Sequence, residues 1–155
     1  MSVIASGWGN PMDAATLAEI EAIKQLKARY FRLLDTKQWD AWREVFSDDF
    51  TADVDGGSVH PTIHFASPEE MVASNRKTLA TAVTVHHGHM PEITITGADT
   101  ATGIWAMMDL VKLGAGFRGY GHYHEEYIKR AGRWRIRRLK LTRLDVMPLD
   151  SPAAR

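Results

Sequence analysis

The chain has 155 residues, with 19 basic and 19 acidic side chains and a formal net charge of zero, so no overall field would gather nucleic acid or an anionic membrane. It contains no cysteine, which excludes disulfides and thiolate metal sites and suits a reducing cytoplasm. The length fits one domain around one core.

Residues 1–13 read as an N-terminal arm. Its start, Met1 to Trp8, has neither the basic opening nor the apolar run of a secretion signal, and no later segment approaches the roughly 18 apolar residues of a membrane span. A soluble, cytoplasmic protein is the expectation. From Asp13, a candidate N-cap, the residues Leu17, Ile20, Ile23, Leu26, Tyr30, Leu33 and Leu34 recur at spacings of three and four. That period predicts an amphipathic helix to about Leu34. Asp35-Thr36-Lys37-Gln38 breaks the pattern, and Trp39, Trp42, Val45 and Phe46 resume it as a second, short helix. Asp48-Asp49 reads as a solvated turn, Phe50 to Val54 as a short strand ending at Asp55-Gly56-Gly57, and Ser67-Pro68-Glu69-Glu70 as the capped start of a third helix.

After residue 83 the period changes to two. Thr84 to Thr96, Thr100 to Lys112, Gly119 to Arg130 and Arg133 to Leu144 are candidate strands, separated by turn signals at Gly97-Ala98-Asp99, Gly114-Ala115-Gly116 and Ala131-Gly132. Helices followed by a meander of long strands predict an α+β domain over residues 14–147, in which a curved, mostly antiparallel sheet wraps the helices around an internal pocket. Residues 148–155 read as a frayed tail.

The chemistry is concentrated in Thr84-Val85-His86-His87-Gly88-His89-Met90-Pro91, with three imidazoles in four positions. Histidine titrates near neutrality, with an ordinary pKa of about 6.5. On a strand, His86 and His87 face opposite sides. Further on, Gly121-His122-Tyr123-His124-Glu125-Glu126-Tyr127 puts His122, His124 and Glu126 on one face and Tyr123, Glu125 and Tyr127 on the other. His-x-His beside a carboxylate is a metal pattern, though a short and generic one, and His124 reads better as a polar group lining the pocket. The basic run Arg133 to Arg143 divides by alternation between two faces and forms no single nucleic-acid ridge. Asp109 is a carboxylate in an otherwise apolar strand, its facing left open, and Trp105, Met107, Met108, Leu110 and Phe117 suit core or pocket wall.

The helix carrying Tyr30 and ending Leu33-Leu34-Asp35, then Thr-Val-His-His-Gly, Gly-His-Tyr-His-Glu-Glu-Tyr and Gly-Arg-Trp-Arg-Ile, resembles the SnoaL-like branch of the nuclear transport factor two-like superfamily. Within it, the likeness is to the scytalone dehydratases, bile-acid dehydratases and hexachlorocyclohexane dehydrochlorinases. The resemblance spans about residues 14–147 and implies a cone-shaped α+β barrel with a deep pocket.

It also implies roles. Asp35 matches the aspartate that orients a strand histidine, matched here by His86; such a carboxylate fixes the tautomer and steadies the imidazolium. On its own, Asp35 reads equally well as a cap for the following helix. Tyr30 matches a dehydratase phenol, although a lone tyrosine on an apolar stripe is commonly core. Arg138 aligns with the dehydrochlorinases' pocket arginine, with Arg143 as the alternative if a bulge shifts the register. Asp109 matches a pocket aspartate of the bile-acid dehydratases.

The implied function is a cofactor-independent lyase of dehydratase type, acting on a small hydrophobic cyclic compound with His86, Asp35, Tyr30 and Arg138 catalytic and Asp109, His124, Trp105 and Met108 binding substrate. No cofactor or metal is implied, and the relatives imply a homodimer or homotrimer. Fold membership does not fix the reaction. An isomerase or polyketide-type cyclase using the same proton abstraction, or a non-catalytic small-ligand-binding module, remains open.

Overall fold

The computed structural model describes residues 13–149. Helix α1 (Ala14–Asp35) begins where the Asp13 carboxylate accepts the Thr16 N–H at 2.6 Å, and its apolar stripe buries Ile23, Leu26, Tyr30, Leu33 and Leu34. It closes with the Lys37 N–H bonded to the Leu34 carbonyl and the Gln38 N–H to the Leu33 carbonyl, Lys37 taking the left-handed conformation at φ 60°. Asp35 is therefore the helix's last residue.

Helix α2 (Trp39–Arg43) is shorter than its apolar spacing suggests, because Phe46 already opens strand β1 (Phe46–Val54). Asp48 and Asp49 lie inside that strand and do not form a turn before it. Opposite β6 (Arg133–Pro148), the pairing passes from Phe46–Ile136 to Thr51–Arg138, so β1 bulges outward there. The two exposed carboxylates on the bulge meet Arg43 and Arg137, at 3.0 and 2.9 Å.

Strand β2 (Ile63–Phe65), unmarked in the sequence pattern, and helix α3 (Pro68–Leu79), capped by Ser67, lead into the meander β3 (Val83–Gly97), β4 (Thr100–Lys112), β5 (Phe117–Arg130) and β6. The six strands form one sheet in the order β2-β1-β6-β5-β4-β3. Only β1–β6 is parallel among these pairs. Strand β6 outruns its expected end at Leu144: Pro148 pairs with Phe117, and the Leu149 N–H reaches the Gly116 carbonyl at 3.2 Å. The rest of the tail and residues 1–12 of the arm lie outside the described residues.

The architecture is the α+β one read from the element order: a mixed, mostly antiparallel sheet with the helices against its concave face. The core of Trp42, Phe46, Phe50, Tyr127, Ile136 and Leu139 fills the base of the cone. No helix among the described residues is long and apolar enough to cross a membrane.

Candidate functional site

A cavity of about 620 Å³ opens between the end of α1, helix α3, the loop after β1 and the inner faces of β3 to β6. Its wall is mainly apolar, including Leu34, Val54, Phe65, Val111, Leu139 and Leu141, and one side carries Tyr30, His86, Asp109, Tyr123 and Arg143.

Asp35 and His86 meet across the interior. The His86 Nδ1 lies 2.6 Å from Asp35 Oδ1, and the His86 backbone N–H donates to Oδ2 at 2.8 Å. The Thr84 hydroxyl adds a third bond, at 2.9 Å. Burial would raise the Asp35 carboxyl, but its bonds from His86 and Thr84 outweigh that and hold it below the ordinary value. An ionised Asp35 accepts the Nδ1 proton, which leaves Nε2 as the acceptor toward the cavity. Asp35 does not cap α2, whose N-cap is Gln38.

His86 pairs directly with Asp109 on β4, so the two side chains share the inner face. Asp109 is buried and takes a two-pronged contact from Arg143, with Nη1–Oδ1 2.7 Å and Nη2–Oδ2 2.8 Å. Arg143 is braced from behind. Its backbone N–H donates to Asp55 Oδ2 at 3.1 Å, and its Nε donates to the Asp55 carbonyl at 3.2 Å. Tyr30 is both core and cavity wall; burial first, and the nearby Glu125 carboxylate second, push its phenol far above the ordinary value, so it stays protonated as a donor.

Four expected site residues are elsewhere. Arg138 is exposed on the outer face, 3.8 Å from Glu126. The cause is a bulge: Tyr127 pairs with Ile136 but Glu126 with Arg138, so Arg137 is an extra residue and the alternation inverts after it. Trp134 and Ile136 point inward before the bulge, and Leu139, Leu141 and Arg143 after it. Arg143 is thus the pocket arginine. His124 is also on the outer face, bonded to Thr142 at 3.3 Å, because the inward side of β5 is the one bearing Tyr123, Glu125 and Tyr127. Met108 faces outward as well, and its neighbour Met107 is the buried one. Trp105 is inward but sits in the core below the cavity, its indole N–H donating to the Tyr127 oxygen at 2.8 Å. His87 is exposed on the outer face beside His89. Among the described residues, no group of three or more His, Cys, Asp or Glu is arranged to hold a metal ion.

The structure adds residues that the pattern did not single out. His60, from the loop after β1, and Asn75, from α3, also line the cavity. Beneath it, Lys27 and Glu125 form a fully buried ion pair. Gly119 lies under Arg143 and Asp109, and glycine within a strand is the one available sign of such close approach.

Residues 15–140 match the SnoaL-like domain family, and the chain belongs to it. Among solved structures, a protein assigned as a scytalone dehydratase from Novosphingobium aromaticivorans superposes with TM-score 0.76 at 18% identity, over 90% of this chain and 95% of that one. The structure of LinA gives 0.77 at 20% identity, over 91% and 96%. The type-3 LinA hexachlorocyclohexane dehydrochlorinase from Novosphingobium barchaimii gives 0.72 at 22%, over 87% and 92%. At these identities the likeness establishes the nuclear transport factor two-like cone fold.

Proposed function

We propose that this SnoaL-like domain is a cofactor-independent lyase of dehydratase type, acting on a small, neutral, hydrophobic cyclic compound. What carries the reading is the Asp35–His86 contact at 2.6 Å on the wall of a mainly apolar cavity. His86 Nε2 takes a proton from the carbon next to a substrate carbonyl, and Asp35 steadies the resulting imidazolium. The electron pair left on carbon becomes the new double bond as hydroxide departs from the adjacent carbon. That hydroxide receives a proton, leaves as water, and the imidazole returns to its neutral form. Tyr30 and Arg143 donate to the oxygen on which charge develops. Arg143 is already neutralised by Asp109, so the site suits a carbonyl or hydroxyl better than a carboxylate.

Proton abstraction can be tested before the natural substrate is known. With 2-tetralone in heavy water, the protein should accelerate deuterium uptake next to the carbonyl, and His86→Ala should abolish the acceleration. A β-hydroxylated cyclic ketone should give a product lighter by one water. Isomerisation or cyclisation without dehydration would leave the mass unchanged. No exchange above background would remove the enzymatic reading in favour of a ligand-binding module.

A further inference from the structure

Lys27 and Glu125 are each wholly buried and bonded to one another, from α1 and β5. The proposed proton transfer uses neither. A buried ion pair is a poor source of stability, since apolar side chains of similar volume commonly do as well or better. The surroundings of the pair give it another purpose. The second Glu125 oxygen accepts the Tyr127 hydroxyl, whose oxygen in turn accepts the Trp105 indole N–H, so a directed chain of donors fixes the carboxylate. That carboxylate fixes the lysine. The Lys27 Nζ then stands 4.0 Å from the centre of the Tyr30 ring and 3.6 Å from that of Tyr123. Both rings reach the cavity, 6.1 Å apart and edge to face.

We infer that Lys27 is a positioning residue: its ammonium group, pinned by Glu125 below the cavity floor, sets the orientation and the donor strength of the Tyr30 and Tyr123 hydroxyls. A cation against an aromatic face is held by the ring's quadrupole, and the hold is strongest where water is excluded. In return it draws electron density from the ring, which makes the phenol a better hydrogen-bond donor. Burial keeps both phenols protonated, so donation is the role open to them. Helical spacing makes the contact possible, because Lys27 lies one turn before Tyr30 on the same buried face. The inference rests on the proposed function only where it assigns these hydroxyls to substrate.

The test uses the full chain with tyrosine labelled by ¹³C at Cζ, its signals assigned through Tyr30→Phe and Tyr123→Phe. In Lys27→Met/Glu125→Gln, which removes both charges at similar volume, the Tyr30 and Tyr123 signals should shift and broaden while that of Tyr120, on the outer face, stays in place. With 2-naphthol as an enol-like probe, Tyr30→Phe should weaken binding about tenfold in the wild-type background and less than about threefold in the double variant. Unmoved Tyr30 and Tyr123 signals, or a loss on Tyr30→Phe that is measurable and equal in both backgrounds, overturn the inference. If Tyr30→Phe costs nothing in the wild-type background, the proposed donor role fails, and the tyrosine signals still decide the case of Lys27. If the double variant does not fold, Tyr127→Phe takes its place: it strips one donor from Glu125 and must move the Tyr30 and Tyr123 signals while that of Tyr120 stays in place, and no movement overturns the inference.

Discussion

Gly119 lies directly under the guanidinium of Arg143: a Cβ there would stand 2.1 Å from Nη1 and 2.3 Å from the Asp109 Oδ1 to which it is bonded. The ion pair occupies the volume that any other residue's side chain would fill. Gly119→Ala should therefore part Arg143 from Asp109, lowering stability by roughly 1–3 kcal/mol and turnover at least about tenfold. Urea unfolding and steady-state kinetics measure the two effects. A variant indistinguishable from wild type by both would show that the pair can form by another route.

The dyad makes a sharper demand. His86→Ala should lower kcat by about 10²–10⁴ with unchanged far-UV circular dichroism, the range set by loss of a general base. Asp35→Ala orphans the His86 ring, the His86 N–H and the Thr84 hydroxyl together, so it should also cost about 1–3 kcal/mol of stability. Comparable activity in wild type and both variants would remove the dyad from the reaction.

The two arginines considered for the pocket should behave oppositely. Arg138→Ala changes an exposed, loosely paired side chain and should shift stability by less than about 0.5 kcal/mol, with turnover unaltered. Arg143→Ala leaves Asp109 buried without its partner and should cost about 3–5 kcal/mol. Arg143→Met paired with Asp109→Leu should recover much of that stability and none of the activity. Equal effects at 138 and 143 would argue against the inverted alternation in β6.

Asp35 also sets an acid limit. Its folded carboxyl lies below the ordinary 3.8, so the folded protein takes up that proton less readily than the unfolded chain does. The stability this provides is complete above 3.8 and is lost as the pH falls through the folded value. The difference in unfolding free energy between wild type and Asp35→Asn should shrink as the pH is lowered from about 5 to about 3. A difference that grew over this interval would mean that Asp35 binds its proton more tightly in the folded state.

Much of this was legible in the residues, and what was not has physical causes. The stripe from Ile23 to Leu34 and the strict alternation of β4 and β5 are dictated by burial on one face, so those elements could be read directly, whereas Leu17, on the same expected stripe, is exposed. The same alternation divides β5 into two faces without saying which is inside, and His124 fell on the wrong one. Arg138 failed for a different reason: one extra residue at Arg137 exchanges the faces of everything after it, and no glycine marks the place. Lys27 was silent because a lysine on an apolar stripe ordinarily extends its amine to water, and the groups that hold it inside include Glu125 and Tyr123, both on the distant β5.

The lone parallel pairing among the described strands sets the order of events during synthesis. Strand β1 is the first of the six described strands to be made, yet its neighbour β6 is the last of them to leave the ribosome. Until then the edges of β1 and β5 that β6 will join stay unpaired, and Arg143 has not yet been added to the pocket. Chains halted before residue 133 would carry Asp35 and His86 but no closed cone, and should accumulate as aggregates instead of as a weaker enzyme.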